Sequence, residues 1–227
     1  MREGYRHVQE RVTAAASRAG RSPDDVTIVG VSKTFGVEVL RAALAAGVKD
    51  LGENRAQELK EKALALGAGP RWHFVGHLQT NKARHVVGIA RLIHSLDRIG
   101  LAEAIARRAR EAGMVQDVLL EVNIAGEASK HGIEPARLGA LADEVASLEG
   151  IAVRGLMTMG PPPSAPEDAR PHYRDLARLS RELAAAHPRA GELSMGMSRD
   201  YEVAVEEGAT LVRVGEAIFG PRRPRSS

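Results

Sequence analysis

Short apolar segments rich in β-branched residues alternate with longer helix-like segments along this chain, and this alternation constrains the fold more than any other feature. Eight strand-like segments are predicted, at 26–32, 48–52, 72–76, 92–96, 117–124, 153–158, 192–195 and 210–214. Helical patterns follow them at 36–46, 54–66, 80–88, 98–112, 135–148, 168–187 and 199–207, with a short end after 216. Eight strand–helix units in about 200 residues predict an α/β fold, a (β/α)8 TIM barrel. A doubly wound open sheet is the alternative.

The ends of the chain and one loop complete the predicted organisation. Residues 2–19 have a helical pattern that ends at Gly20, which predicts an extra N-terminal helix. A length of 227 residues suits a single domain spanning 1–227. The Pro-rich stretch 161–166 lies between a predicted strand and a helix, so it is interpreted as a long βα loop. The basic tail, 222–227, is predicted to be disordered.

Composition excludes several classes of function. A net charge of +3 and an aromatic content of 3% argue against a nucleic-acid partner. The absence of cysteine excludes disulfides and thiolate metal sites, and the histidine spacing does not fit a helical zinc pair, so no metal is predicted. The N-terminus lacks an apolar signal core, and no run approaches the ~18 apolar residues of a membrane span. We therefore expect a cytoplasmic protein.

Lys33 is the first candidate functional residue, because it ends the first predicted strand. In a barrel, this position faces the end where ligands bind. The chain has six lysines against 26 arginines, so a simple requirement for positive charge does not explain a lysine here. An amine in a partly desolvated pocket can lose its proton and form a Schiff base, which arginine cannot do. From this segment alone, a solvated lysine at a strand end is the open alternative.

The loops after the seventh and eighth strands form a candidate phosphate site. Gly196-Met197-Ser198 precedes a predicted helix that starts near Arg199-Asp200, so its amides and the Ser198 hydroxyl lie at the positive end of a helix. Gly215, before the short final helix, offers further amides. Barrels often bind phosphate with these two loops. Taken singly, Ser198 is equally explained as a helix N-cap and Gly215 as a tight turn.

Several specific motifs together resemble one known family. The matching segments run nearly end to end, in consistent order. They are Val31-Ser32-Lys33-Thr34, Gly52-Glu53-Asn54-Arg55-Ala56-Gln57-Glu58, Trp72-His73-Phe74-Val75-Gly76-His77-Leu78-Gln79-Thr80-Asn81-Lys82, Ile93-His94-Ser95-Leu96-Asp97, Val122-Asn123-Ile124 with Ala128-Ser129-Lys130-His131-Gly132, Gly155-Leu156-Met157, Leu193-Ser194-Met195-Gly196-Met197-Ser198 with Asp200, and Val212-Arg213-Val214-Gly215-Glu216-Ala217-Ile218-Phe219-Gly220. The chain resembles the pyridoxal phosphate homeostasis proteins, which have an alanine-racemase-like barrel.

The resemblance implies a cofactor and the residues that bind it. It implies that Lys33 forms an internal aldimine with pyridoxal 5′-phosphate, that Ser198 and the amides around Gly215 hold the phosphate, and that Arg213 faces the pyridine nitrogen. A cation next to that nitrogen disfavours its protonation, so the ring is a poorer electron sink. The predicted cofactor-binding residues are Lys33, Asn54, Ser194, Gly196, Met197, Ser198, Arg213, Gly215 and Glu216. Glu216 departs from the family, which usually has Thr or Ser there, and a carboxylate would repel phosphate.

The resemblance implies a carrier function. Alanine racemases carry a C-terminal β domain that supplies an acid–base tyrosine, and this sequence leaves no room for one after the barrel, so no catalytic residue is assigned. We expect the protein to bind and buffer pyridoxal phosphate as a monomer and to hand it to apo forms of enzymes that use it. A pyridoxal-phosphate-dependent racemase, with water or Lys130 as the second acid–base group, is the alternative. A Schiff-base aldolase acting on a phosphorylated sugar is a third.

Overall fold

The predicted barrel is confirmed in the computed structural model, which describes residues 1–126, 131–160 and 164–221. Eight strands form a closed parallel barrel in chain order, and β8 pairs with β1 to close it, which rules out the open-sheet alternative. The strands are β1 (Thr27–Val31), β2 (Asp50–Glu53), β3 (Arg71–Phe74), β4 (Ala90–Leu96), β5 (Gln116–Glu121), β6 (Ile151–Met157), β7 (Glu192–Ser194) and β8 (Leu211–Val214).

Helices surround the barrel, as the apolar stripes in the sequence predicted. They are α1 (Arg2–Arg18), α2 (Val37–Ala45), α3 (Ala56–Leu66), α4 (Ile99–Glu111), α5 (Leu138–Ala146), α6 (Arg170–Ala186), α7 (Tyr201–Glu206) and α8 (Glu216–Phe219). Short 3₁₀ helices cover Pro23–Asp25, Thr80–His85, Pro135–Arg137 and Pro166–Ala169. Within the described residues, no helix has both the length and the apolarity needed to cross a membrane.

The helix predicted at 80–88 differs from the observed structure. The chain forms only a 3₁₀ helix there, Thr80–His85, and Ala83 is the one buried residue in it. Thr80 and Asn81 are poor helix formers, and Gly88 turns the chain at a φ of 82°. Poor helix formers at the start and a glycine turn at the end leave this segment too short to form a stable α-helix.

The extra N-terminal helix packs closely on the end of the barrel wall. A Cβ added to Gly4 of α1 would lie 2.7 Å from the carbonyl oxygen of Ala217 in α8, so glycine permits this approach. Arg21, just after α1, donates hydrogen bonds from Nη1 to the carbonyl oxygens of Val205 (2.8 Å) and Ala209 (2.9 Å). These contacts tie the N-terminus to α7 and α8, the helices that flank the two predicted phosphate loops.

The interior of the barrel is only partly apolar. A cluster of five apolar side chains fills part of it: Val29, Leu92, Leu119, Met157 and Leu211. Polar side chains that are at most 4% exposed occupy the remainder, and they include His73, His94, Ser194 and Arg213. A polar interior is costly unless its groups are hydrogen-bonded, so these residues point to a functional requirement.

Three predictions fall outside the described residues. Lys130 lies in 127–130, the first three prolines of the predicted loop lie in 161–163, and the basic tail is 222–227. The roles suggested for these segments from the sequence stay predictions.

Candidate functional site

A cavity of about 550 Å³ lies where the loops that follow the strands meet. Its volume is in the range of small-molecule sites. Seven of the nine predicted cofactor-binding residues line it: Lys33, Asn54, Met197, Ser198, Arg213, Gly215 and Glu216. Ser194 and Gly196 are not among its lining residues. The structure thus brings together the lysine after β1 and the loops after β7 and β8, as predicted.

Lys33 lies between two residues whose hydrogen bonds reach the end of β2 and the first turn of α3. The Ser32 hydroxyl donates to Glu53 Oε1 at 2.6 Å, and the Thr34 amide donates to Glu58 Oε2 at 3.3 Å. Thr34 has a φ of 72°, an uncommon conformation for a β-branched residue. The turn that carries Lys33 is therefore held on both sides, and its backbone stores strain next to the cavity.

A buried ion pair supports this turn from below. Lys62 Nζ lies 2.6 Å from Glu53 Oε1 and also donates to the Ser32 carbonyl oxygen at 3.0 Å. The Glu53 side chain is fully buried and that of Lys62 is 9% exposed. Burial raises the pKa of the Glu53 carboxyl above its usual value, against the opposing effects of Lys62 and Ser32. The pair thus fixes the backbone at the end of β1, where Lys33 begins.

The predicted phosphate loops meet through a direct hydrogen bond. The Gly215 amide donates to Ser198 Oγ at 3.2 Å, so the loops after β7 and β8 are joined at the cavity wall. The Met197 amide, predicted as a phosphate donor, instead donates to the Asp200 carboxylate at 2.6 Å. We therefore expect Met197 to contribute shape to the cavity, whereas the hydroxyl of Ser198 can still reach a ligand.

Gly196 shapes the loop after β7 from behind. It has a φ of 89°, and an added Cβ would lie 2.5 Å from the Ala204 Cβ in α7. The buried Tyr173 hydroxyl interacts with the Asp200 carboxylate and with the Gly196 backbone, and burial raises the pKa of this phenol. Gly196 is therefore required for packing, and the loop is fixed by contacts with α6 and α7.

Arg213 is a buried cation at the floor of the cavity. It is 4% exposed, and it donates from Nη1 to Ser194 Oγ at 2.6 Å and from Nη2 to the Thr158 carbonyl oxygen at 2.8 Å. Both acceptors are neutral. Ser194, predicted to contact the cofactor, is not among the residues that line the cavity, and its role stays a prediction. Burial lowers the pKa of the guanidinium, and the acidic groups that oppose this effect, Tyr173, Glu121 and Asp200, make no hydrogen bond to it among the described residues. This arrangement favours a ligand that accepts from the guanidinium.

Glu216 lies exposed at the rim of the cavity, at the start of α8. The position explains how the chain tolerates a carboxylate where the family usually has a hydroxyl. In water the charge of a carboxylate is strongly screened, so its repulsion of a bound anion is small compared with that of a buried group.

Several lining residues were not assigned to the site from the sequence, among them Phe35, Gly76, His77, Met159 and Asp200. The sequence does indicate a role for Gly76, since a glycine right after a strand suggests a close approach of another backbone segment. A Cβ there would lie 2.4 Å from the Asn54 carbonyl oxygen. Gly76 thus lets the ends of β2 and β3 converge, which brings Asn54 to the cavity wall.

His77, Asp97 and His131 form the one group of possible metal ligands found among the described residues. Their ligand atoms lie within 4.8 Å of one another. However, the two imidazole rings are stacked, with centroids 3.7 Å apart and planes only 12° from parallel. In-plane lone pairs of parallel rings cannot both point at one ion. Burial, followed by the neighbouring His131, lowers the pKa of His77, which favours the neutral form of His77.

The comparisons with known proteins agree with this geometry. Residues 5–223 match the family described as "Alanine racemase, N-terminal domain". A pyridoxal phosphate homeostasis protein of Aquifex aeolicus is 47% identical, with 97% of this chain and 98% of the relative covered. The chain belongs to the pyridoxal phosphate homeostasis protein family. The Escherichia coli K12 member of this family is 38% identical, over 95% of this chain and 94% of its own length.

Solved structures place the family in its fold class. PipY of Synechococcus elongatus, solved with pyridoxal phosphate bound, has a TM-score of 0.81 and 36% identity, with 94% of this chain and 100% of PipY covered. An alanine racemase of Clostridium difficile in complex with cycloserine has a TM-score of 0.72 at 15% identity, with 96% of this chain and 60% of the racemase covered. The racemase likeness concerns the fold alone and confirms the predicted alanine-racemase-like barrel.

Proposed function

We propose that this chain binds pyridoxal 5′-phosphate as a Schiff base on Lys33 and serves pyridoxal phosphate homeostasis as a buffer and carrier. One observation carries the proposal. The cavity at the ends of the strands is lined by a lysine, by the Ser198–Gly215 loop pair and by a buried arginine. The names of the relatives and the ligand of PipY support the same cofactor.

The chemistry of the lining residues fits this cofactor. An amine adds to an aldehyde carbon, and a C=N bond replaces the C=O bond with loss of one water, which requires a lysine rather than an arginine. The Ser198 hydroxyl and the first-turn amides of α8 can donate to phosphate oxygens. Arg213, held by neutral acceptors, can donate to a ring nitrogen without giving up its own proton.

The same residues support binding without turnover. A two-base racemase needs an acid–base group on each face of the substrate carbon. The three tyrosines of the chain are all in the described part, and none is among the residues that line the cavity. The proposed carrier therefore holds a reactive aldehyde in reversible covalent form and releases it to apo-enzymes that need it.

The test is spectroscopic and chemical. We expect purified protein with added pyridoxal phosphate to show a Schiff-base absorption band, and borohydride reduction with peptide mapping to place the adduct on Lys33. Lys33→Met should abolish the band. Lys82→Met, which removes an exposed lysine on the same side of the barrel, is the matched control and should keep it. An adduct spread over several lysines, or a band that survives in Lys33→Met, would reject the assignment.

Two further assays test the carrier proposal. Racemisation of alanine or serine by the loaded protein should be absent, and activation of an apo-enzyme in a dialysis-separated mixture should show release of the cofactor. We also propose that the protein is a cytoplasmic monomer. Analytical ultracentrifugation should give a mass near 24.3 kDa, and cell fractionation should place the protein with the cytoplasmic enzymes.

A further inference from the structure

A continuous chain of hydrogen-bonded side chains crosses the interior of the barrel beneath the cavity. Its links are Arg213 Nη1 to Ser194 Oγ (2.6 Å), Ser194 Oγ to His94 Nδ1 (2.9 Å), His94 Nε2 to His73 Nδ1 (2.9 Å) and His73 Nε2 to Asp50 Oδ1 (3.1 Å). The two imidazoles and Ser194 are fully buried. The chain starts at the cavity floor and ends at Asp50, the first residue of β2, at the opposite rim of the barrel.

When both imidazoles are neutral, the Asp50 carboxylate at one end fixes the direction of every hydrogen bond. Asp50 also accepts from Arg71, whose side chain is 51% exposed. Although burial opposes it, hydrogen bonds from His73 and Arg71 lower the pKa of the Asp50 carboxyl. The carboxylate can only accept, so His73 Nε2 carries a proton and donates. In a neutral His73, Nδ1 then accepts from His94 Nε2.

The same assignment of donors and acceptors extends from His94 to the residues at the cavity floor. Because Nε2 of a neutral His94 donates, its Nδ1 accepts, so the Ser194 hydroxyl donates to it. The lone pairs of Ser194 are then turned toward Arg213. Burial first, and then His73 and Arg213, place the pKa of His94 well below its ordinary value, which agrees with a neutral imidazole. A doubly protonated His73 would donate from Nδ1 to His94 Nε2 and reverse the chain, so that the Ser194 oxygen would accept from both His94 and Arg213.

We propose that Asp50, His73, His94 and Ser194 are positioning residues for Arg213, which fix the guanidinium at the floor of the cavity. These hydrogen-bonded side chains give Arg213 a neutral acceptor of fixed orientation, and the carboxyls that act on its charge, Glu121 and Asp200, accept no hydrogen bond from it among the described residues. A chain of hydrogen bonds polarised in one direction is also stronger than its separate links. The effect on the cofactor rests on the proposed function, whereas the orientation of the chain itself does not.

The first test needs no cofactor. Long-range ¹H–¹⁵N NMR spectra of the ligand-free protein distinguish the protonated from the unprotonated nitrogen of each imidazole. We expect His73 and His94 both to be neutral and protonated on Nε2, with slowly exchanging protons. A proton on Nδ1 of either ring, or a doubly protonated His73 at neutral pH, would overturn the proposed orientation.

The second test measures the binding of pyridoxal phosphate. His94→Leu removes the acceptor for Ser194, and we expect about tenfold weaker binding together with a shifted absorption maximum, because Arg213 loses its oriented partner. His94→Gln, which can still donate and accept, should restore most of the affinity. Leu92→Ala, two residues away in the apolar interior cluster, is the matched control. It should lower the Tm by several degrees and change the affinity by less than about twofold.

The outcomes separate the possible failures. If His94→Leu does not fold, Ser194→Ala, which removes only one hydroxyl, provides the same comparison, again with an expected loss of about tenfold. Equal affinity in the wild-type protein and in the His94 and Ser194 variants would reject the positioning role. Equal losses of affinity in His94→Leu and Leu92→Ala would mean that the hydrogen-bonded side chains support the fold without positioning Arg213. Failure of the wild-type protein to bind pyridoxal phosphate would reject the proposed function and leave the NMR result standing.

Discussion

Removal of Lys62 should destabilise the protein in a manner that depends on pH. In Lys62→Met, the fully buried Glu53 loses its partner and keeps only the Ser32 hydroxyl. Breaking a buried ion pair from one side costs about 3–5 kcal/mol. Protonation of the Glu53 carboxyl would remove this electrostatic cost. Protonating a carboxyl with the reference pKa of 4.5 costs about 1.4 kcal/mol for each pH unit above that value, so at pH 8 protonation costs about 5 kcal/mol.

The sign of the pH dependence follows from the raised pKa of Glu53. A carboxyl whose pKa is higher in the folded state favours folding most below its unfolded pKa, and this contribution is lost as pH rises through the folded value. The electrostatic cost of Lys62→Met should therefore be about 3–5 kcal/mol at pH 8 and about 1 kcal/mol at pH 5. At roughly 2–4 °C per kcal/mol, the Tm at pH 8 should fall by roughly 6–20 °C.

Thermal unfolding at the two pH values, followed by circular dichroism, measures these losses. Lys60→Met replaces an exposed lysine on the same helix and should change the Tm by less than about 2 °C. The double variant Glu53→Gln/Lys62→Met should recover most of the loss at pH 8, because the amide that replaces the carboxylate carries no charge. If Lys62→Met lost the same stability at pH 5 as at pH 8, or if the double variant recovered nothing, the ion-pair reasoning would be refuted. The lost hydrogen bond from Lys62 to the Ser32 carbonyl oxygen would then be the cause.

Three other changes have definite expected outcomes. Gly155→Ala would place a Cβ 1.8 Å from the Glu192 carbonyl oxygen at a φ of 151°, so we expect a loss of at least about 3 kcal/mol in urea unfolding. Burial, and then Asp97, raise the pKa of Glu121 to about 7. Ligand-free Glu121→Gln should therefore be more stable than the wild type by about 3 kcal/mol at pH 8 and nearly equal to it in stability at pH 4.5. Equal stabilities at pH 8 would contradict this prediction. Thr34→Gly should relieve the strain at φ 72° and raise the stability by up to about 1 kcal/mol relative to Thr34→Ala, as judged from Tm.

The elements of the barrel could be predicted from the sequence because each one has its own periodicity. All eight strands were found, and the errors lie at their ends. The strand predicted at 117–124 stops at Glu121, since Val122 makes only an isolated bridge with Ile133 and the chain then turns. Such ends depend on partners distant in sequence, which periodicity within one segment does not contain.

The cavity could be located in advance because strand ends converge in a barrel whatever the details of packing. The contacts between individual side chains could not be predicted from the sequence. His73 and His94 lie on neighbouring strands, and their contact depends on a register shift between Trp72 and His73 in the β3–β4 pair. Likewise, the Met197 amide looked available in the sequence, but the Asp200 carboxylate three residues later accepts its hydrogen bond.

Lys62 and Arg213 are buried cations beneath the cavity, and the groups that accept their hydrogen bonds differ in charge. Lys62 touches a carboxylate directly, so its charge is neutralised and it serves to hold the backbone beside Lys33. Arg213 is separated from Asp50 by one hydroxyl and two imidazoles, and its own acceptors are neutral. A direct carboxylate partner would have satisfied the guanidinium within the protein and reduced what a ligand gains from it. The neutral acceptors fix the guanidinium where it lines the cavity, and the carboxyls that act on its charge, Glu121 and Asp200, make no hydrogen bond to it among the described residues.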